Sequence, residues 1–316
     1  MEEGRKYIEP VLSAEEWYQK GAEAYKSGQF GEACAHFSRA IDLKPDYAEA
    51  YNDWGIALTD LIDYKADESL YPACYDKFRK ATTINPKYAI AFYNWGNALF
   101  DEAEIFDDDK VYAESVEKYR QAAKLKPDDA DIYYSWANAL LALSEIRKDE
   151  RLYNICLDKY AKAAELKETE AEIFNNWAIA LSNLAKLRGG DKELYSQCFD
   201  KYQKALDIRP NYVKTYLNWG LDLFELAKSE NKMLTYAKEI EEKLMKTYKL
   251  GARKAVYNLT CLYSLINEID HAFCWFEKLL MSTNISREFI EIEPDFSNLR
   301  EDNRFLDLLD KYRPKK

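Results

Sequence analysis

Apolar positions return along this chain at two intervals. The short one is helical: Leu58 and Leu61, and again Leu181 and Leu184, continue stripes at the spacing of one helix face. The long one belongs to a whole phrase. Tyr93-Asn-Trp-Gly-Asn-Ala-Leu99 has counterparts in Asp53-Trp-Gly-Ile-Ala-Leu58, Ser135-Trp-Ala-Asn-Ala-Leu140, Asn176-Trp-Ala-Ile-Ala-Leu181 and Asn218-Trp-Gly-Leu-Asp-Leu223. Trp54, Trp95, Trp136, Trp177 and Trp219 stand 41, 41, 41 and 42 residues apart. So regular a period denotes an array of one supersecondary unit, each burying its apolar face against the next. A length of 316 residues alone suggests about two domains. An array, however, grows in one dimension and has no single core to outgrow.

Each phrase is followed by a second helical pattern. Small residues at Ala33, Cys74, Ser115, Cys156 and Cys198 precede rings at Phe37, Phe78, Tyr119, Tyr160 and Tyr202. Alanines follow at Ala40, Ala81, Ala122, Ala163 and Ala205. Pro45, Pro86, Pro127 and Pro210 end the second helices, because proline cannot continue them; Glu168 stands where the fourth unit would carry its proline. Ser13, with Glu16 three residues on, predicts a capping box at the first helix, and Gly251 predicts a helix end.

From Gly21 to Ala33 is 12 residues, whereas Gly55 to Cys74 is 19 and Ala178 to Cys198 is 20. The extra length is about two helical turns, so units two to five are expected to gain a turn on each helix. Leu70-Tyr71, Val111-Tyr112, Leu152-Tyr153 and Leu194-Tyr195 extend the second stripe. The charged tips between helices, such as Asp107-Asp-Asp-Lys110, read as solvated loops. The Asp107–Asp109 run lacks the glycine and distal glutamate of a calcium loop. The sixth unit keeps Trp219 and Gly220 and then loses the pattern, with a long charged helix near 232–250.

Trp17, Gly21, Ala33, Phe37, Ala40 and Pro45, separated by 4, 12, 4, 3 and 5 positions, carry the spacing of the tetratricopeptide repeat, and the chain resembles that family over about residues 14–310. The resemblance implies an all-α fold: a right-handed α-solenoid of about seven antiparallel helix pairs. On that reading residues 1–13 are a polar lead and 14–251 hold repeats one to six. Residues 252–316 form a final hairpin and a capping helix, similar to the closing segment of many bacterial arrays. Phe305, Leu306, Leu308 and Leu309 are expected to be the inner stripe of that cap.

The family implies that the first helix of each pair lines a concave peptide groove. Carried over place by place, the expected groove residues are Tyr18, Tyr25, Asn52, Tyr93, Asn97, Phe100, Tyr134, Asn138 and Asn175, with acids such as Asp60, Asp101 and Glu225 at the edge. Asparagine offers a donor and an acceptor to a peptide backbone, and tyrosine gives rigid contact area. The lysines and arginine with which some members clamp a C-terminal carboxylate have no counterpart: Tyr18, Ala22, Ile56, Tyr93 and Asn97 hold those places or the asparagine places beside them. Asn94, Asn176, Asn218 and Asn258 recur because the fold recurs and are read as structural.

Charge narrows the partner. With 45 basic and 56 acidic residues the net charge is −11, which disfavours nucleic acid and favours a neutral or basic protein segment. Ten Gly and eight Pro against 25 Tyr, 14 Phe and 7 Trp describe a packed chain rather than a disordered one. Six Cys without a paired-cysteine motif and two His without a His pair give no metal or cofactor site. Unpaired thiols fit a reducing, cytoplasmic setting. No segment has the length and apolarity of a membrane span or of a signal core, although a leader removed earlier would leave no such trace. His36 and His271 lie in no catalytic motif and Gly189-Gly190 is too short for a phosphate loop, so a non-enzymatic interaction scaffold is expected, with homo-oligomerisation open. The alternative from another class is carbohydrate binding by stacking on the groove tyrosines.

Overall fold

Ser13 opens the first helix as its spacing to Glu16 requires. Its Oγ accepts from the Glu16 N–H at 3.2 Å, and the Glu16 carboxylate accepts from the Ser13 N–H at 2.7 Å. The structure, a computed structural model, describes residues 12–314. The expected lead, 1–13, thus falls outside the described residues except for Leu12 and Ser13. Among the described residues there are helices and no strands. The chain divides into two units, one ending at Leu166 and the other beginning at Lys167.

The first unit is four antiparallel pairs in series: α1 (Ala14–Lys26) with α2 (Phe30–Leu43), α3 (Ala48–Lys65) with α4 (Tyr71–Ile84), α5 (Ala89–Phe106) with α6 (Asp109–Leu125), and α7 (Ala130–Arg147) with α8 (Glu150–Leu166). The second holds α9 (Ala171–Leu187) with α10 (Lys192–Ile208), α11 (Val213–Ser229) with α12 (Met233–Lys249), and α13 (Ala255–Leu265) with α14 (Ile269–Ser282). Three short helices follow, α15 (Arg287–Ile292), α16 (Ser297–Arg300) and α17 (Arg304–Tyr312). In the third pair both helices are longer than in the first, α5 with 18 residues against 13 in α1 and α6 with 17 against 14 in α2. In the second pair, by contrast, α4 has 14 residues and gains only a 3-10 turn at Glu68–Leu70 before it. The sixth pair is elongated too, with 17 residues in each helix. It escaped the pattern because Ile240 and Leu244 fill the places held elsewhere by a small residue and a ring.

The charged tips are more than solvated loops. Ala66, Asp107 and Lys148 hold one equivalent left-handed place, with φ of 50°, 52° and 49°. Asp67, Asp108, Asp149 and Asp191 then accept backbone N–H groups of the next helical turn. Each tip is therefore a stop followed by an N-cap, which settles orphan donors that a helix start leaves open. Asp109 is taken up by Arg147 at 2.8 Å, so the acidic run is spent on capping and pairing.

Within a pair the two helices touch at glycine. A Cβ on Gly55 or Gly96 would lie 2.7 Å from the ring of Phe78 or Tyr119. Between pairs the tryptophans mediate: Trp54 packs on the Ala33–Phe37 cluster of the preceding hairpin, and Trp95 on the Cys74–Phe78 cluster. The other ring face carries an ammonium: Lys77 over Trp54 at 4.1 Å, Lys118 over Trp95 at 3.7 Å, Lys159 over Trp136 at 4.7 Å, Lys201 over Trp177 at 4.1 Å and Lys243 over Trp219 at 4.1 Å. Such contacts contribute about 0.5–2 kcal/mol each, depending on desolvation. They explain why the residue before each repeat ring is so often lysine. Cys74, Cys156 and Cys198 are buried free thiols at one equivalent place.

At the far end α17 covers the last hairpin. Phe305 stacks on Phe276 with centroids 5.1 Å apart and planes 11° off parallel, and Leu309 is fully buried beside it. Leu306 is 53% exposed, so the inner stripe is Phe305, Leu308 and Leu309, at the spacing of one helix face, without Leu306.

Candidate functional site

On the helices α1, α3, α5 and α7, polar side chains reach from one repeat to the next. Tyr18 donates its hydroxyl to Asp53 Oδ2 at 2.7 Å, and Tyr25 to Asp60 Oδ2 at 2.5 Å. Asn94 Nδ2 donates to Asn52 Oδ1 at 3.1 Å, and the hydroxyls of Tyr93 and Ser135 lie 3.3 Å apart. Burial, with the Asp60 bond second, pushes the Tyr25 phenol up to about 12, so it stays a donor. Tyr18 is raised for the same reasons, burial first and Asp53 second.

This sorts the expected groove residues. Asn52 and Asn175 are each only 2% exposed. Asn52 is held between Asn94 and Asp53, and Asn175 accepts from Thr215 at 2.9 Å and donates to Asn176 at 3.0 Å. Both are buried in the seam between repeats, each meeting a side chain of the next first helix, whereas Tyr18, Tyr93 and Tyr134 at the equivalent place stay half-buried. Asn97 and Asn138 stay half-buried, with Oδ1 accepting from Tyr119 at 2.8 Å and from Tyr160 at 2.6 Å. Tyr18, Tyr25, Tyr93, Phe100 and Tyr134 are half-buried rings along the first unit. Two hollows open among them. One, of about 430 Å³, is lined by Tyr18, Ala22, Tyr25, Phe37, Asp53 and Ile56; the other, of about 100 Å³, by Asn97, Phe100, Asp101, Tyr119, Ser135 and Asn138.

Asp101 borders the smaller hollow. Burial first, and then Asp63, Glu104 and Asp60, push its carboxyl up to about 6 from an ordinary 3.8. Between those values the folded chain holds a proton that the unfolded chain has lost. Its stabilising contribution is therefore full below about pH 4 and is lost as pH rises through about 6. Asp101→Asn, which cannot ionise, is expected to gain about 1–2 kcal/mol at neutral pH after allowance for solvent screening. Thermal melts should show that gain shrinking toward pH 4; an equal gain at both pH values would contradict the charge argument.

A buried carboxylate in the second unit was not foreseen. Asp222 is 5% exposed and accepts from Ser182 Oγ at 2.6 Å, Lys186 Nζ at 2.8 Å and Tyr202 Oη at 2.8 Å. The signal was present in Trp219-Gly-Leu-Asp-Leu223, where the other copies of the phrase carry alanine. Among the described residues no group of three or more His, Cys, Asp or Glu is placed to hold a metal ion, and no helix is long and apolar enough to cross a membrane.

Paired helices in series, seamed within each unit by glycine and tryptophan, define a helical-repeat fold of the α-solenoid class. The tetratricopeptide-repeat family model matches residues 21–61 and 111–144. The C-terminal part of a TPR repeat-containing protein from Cytophaga hutchinsonii superposes with a TM-score of 0.61 at 13% identity, over 87% of this chain and 98% of that one. YrrB, described as a TPR protein with an unusual peptide-binding site, gives 0.48 at 18% identity over 64% of this chain and 90% of that one. MamA from Desulfovibrio magneticus RS-1 gives 0.49 at 16% identity, over 63% and 96%. No curated protein sequence matches. Residues 21–61 and 111–144 thus match tetratricopeptide repeats, and the fold is that of a solved tetratricopeptide-repeat array.

Proposed function

We propose that the first-helix face of the residues up to Leu166 binds an extended segment of another protein, neutral or basic in charge, without catalysing a reaction. The observation that carries this reading is the set of half-buried rings, Tyr18 and Tyr25 on α1, Tyr93 and Phe100 on α5, and Tyr134 on α7. Several are held by contacts that restrain them before any partner arrives: Tyr18 and Tyr25 by the next repeat's carboxylates, and Tyr93 against Tyr119 at 5.9 Å. Rings fixed in advance lose little freedom on binding, so contact area converts to affinity more fully. Carboxylates at Asp60, Asp63, Asp101 and Glu104 favour a basic segment over an acidic one through long-range attraction. The test is a random peptide library panned against the protein, with affinities of the selected peptides measured by fluorescence anisotropy. Tyr93→Ser combined with Phe100→Ser should weaken them about tenfold or more, the effect of losing two aromatic contacts. Undiminished binding, or a printed glycan array that captures the protein when no peptide does, would count against it.

A further inference from the structure

The hollow of about 430 Å³ between α1 and α3 has the size of a side-chain or small-ligand pocket, a class that spans about 300–1,000 Å³. Its walls are the rings of Tyr18, Tyr25 and Phe37 with Ile56, and Asp53 stands on its polar edge. Tyr18 and Tyr25 both donate their hydroxyls to carboxylates, Asp53 and Asp60. A phenol bound to an anion has a more electron-rich ring face, and each carboxylate keeps lone pairs beyond the one the hydroxyl uses. Among the described residues no ammonium or guanidinium lies within ion-pair distance of Asp53 or Asp60. Lys26 borders the hollow, but its side chain is exposed. Aromatic faces beside uncompensated carboxylates select one chemistry. A planar cation stacks on the rings and directs its N–H groups at the carboxylates, which an ammonium does less completely.

We propose that this hollow receives an arginine side chain of the bound segment, with Tyr18 and Tyr25 stacking on the guanidinium and Asp53 accepting its N–H donors. The proposal rests on the groove reading above and adds to it a residue type and a place. It also orders the interaction: a buried anchor at the first hairpin, and weaker backbone and ring contacts along α5 and α7.

The experiment uses the full chain and three probes. These are a heptapeptide of alanines with central arginine, its twin with citrulline, and N-acetyl-arginine amide. Citrulline keeps the shape and removes the charge. The arginine peptide is expected to bind about tenfold more tightly than the citrulline peptide and to shift the ring resonances of Tyr18 and Tyr25. Asp53→Asn should reduce arginine affinity roughly fivefold and leave citrulline affinity unchanged. Because Asp53 also accepts from Asn52, a second variant is read beside it: Ile56→Lys, at a half-buried place, brings its own ammonium into the hollow and should abolish the arginine preference while circular dichroism shows the helical content retained. Equal affinity for the two peptides overturns the anchor; if Tyr93→Ser then weakens both, the groove itself survives. Ring shifts at Tyr18 and Tyr25 with N-acetyl-arginine amide, and no peptide response at Tyr93, support the anchor and overturn the groove. A preference for arginine that persists in both variants overturns the assignment to Asp53 and this hollow.

Discussion

Asp222→Ala is expected to cost about 2–3 kcal/mol of stability, and adding Tyr202→Phe to give most of it back. The donors to Asp222 do not lose equally, the Cys198 thiol at 3.8 Å being the weakest of the four. Lys186 is 43% exposed and turns to water. Ser182 has a local alternative, the carbonyl four residues back, as Ser144 uses with Leu140 at 2.5 Å. Tyr202 has neither. It is fully buried, and the place where Tyr119 and Tyr160 find Asn97 and Asn138 on their own hairpin is occupied in its hairpin by Ile179. An orphaned buried hydroxyl costs about 1–3 kcal/mol, and the lost volume adds to that. Removing the hydroxyl as well reproduces an arrangement the chain already contains: Phe78 buried near Ile56 and Ala98 in the second hairpin. Urea denaturation of the two single variants and the double variant measures the coupling. Simple additivity of the two losses would mean that Tyr202 does not depend on Asp222.

The same comparison shows what was legible in the residues and what was not. Period, pairing and elongation could be read because they follow from where glycine, tryptophan and alanine must sit for helices to approach, as at Gly55 and Gly96 against Phe78 and Tyr119. The ring-to-partner rule was hidden. Phenylalanine goes with an apolar residue just after the first helix's glycine or alanine, as in Phe37 with Ala22 and Phe78 with Ile56; tyrosine goes with asparagine there, or with Asp222 when isoleucine takes that place. That dependence runs between helices about 20 residues apart and cannot be seen by reading one helix at a time. The groove expectation for Asn52 and Asn175 fails because their partners lie on the neighbouring first helix. The place looks inward in the family, but these side chains are short enough to turn into the seam, where Asn94 and Thr215 meet them. Tyrosine, too long to do so, stays at the surface in Tyr18, Tyr93 and Tyr134.

Phe305→Ala should be the most damaging single change in the closing segment, at about 3–5 kcal/mol. A repeat array ends on an apolar face that its next repeat would otherwise bury, and α17 must cover it. The cover rests on few contacts. Phe305 is 2% exposed and stacks on the fully buried Phe276, which also meets Phe296 at 5.7 Å. The helix has only nine residues, too few to hold itself without tertiary packing. Losing the stacked ring therefore opens a cavity and also releases the helix that should close over it. Arg304 does not compensate, since its contacts to Asp270, Asp302 and the Phe273 ring lie at the exposed edge. Leu306→Ala, one residue along but on the solvent side, should stay within about 0.5 kcal/mol of wild type. Urea midpoints for the two variants separate the cases: a large loss for Phe305 alone identifies α17 as a packed cap, and equal small losses would mean that the last hairpin stands without it.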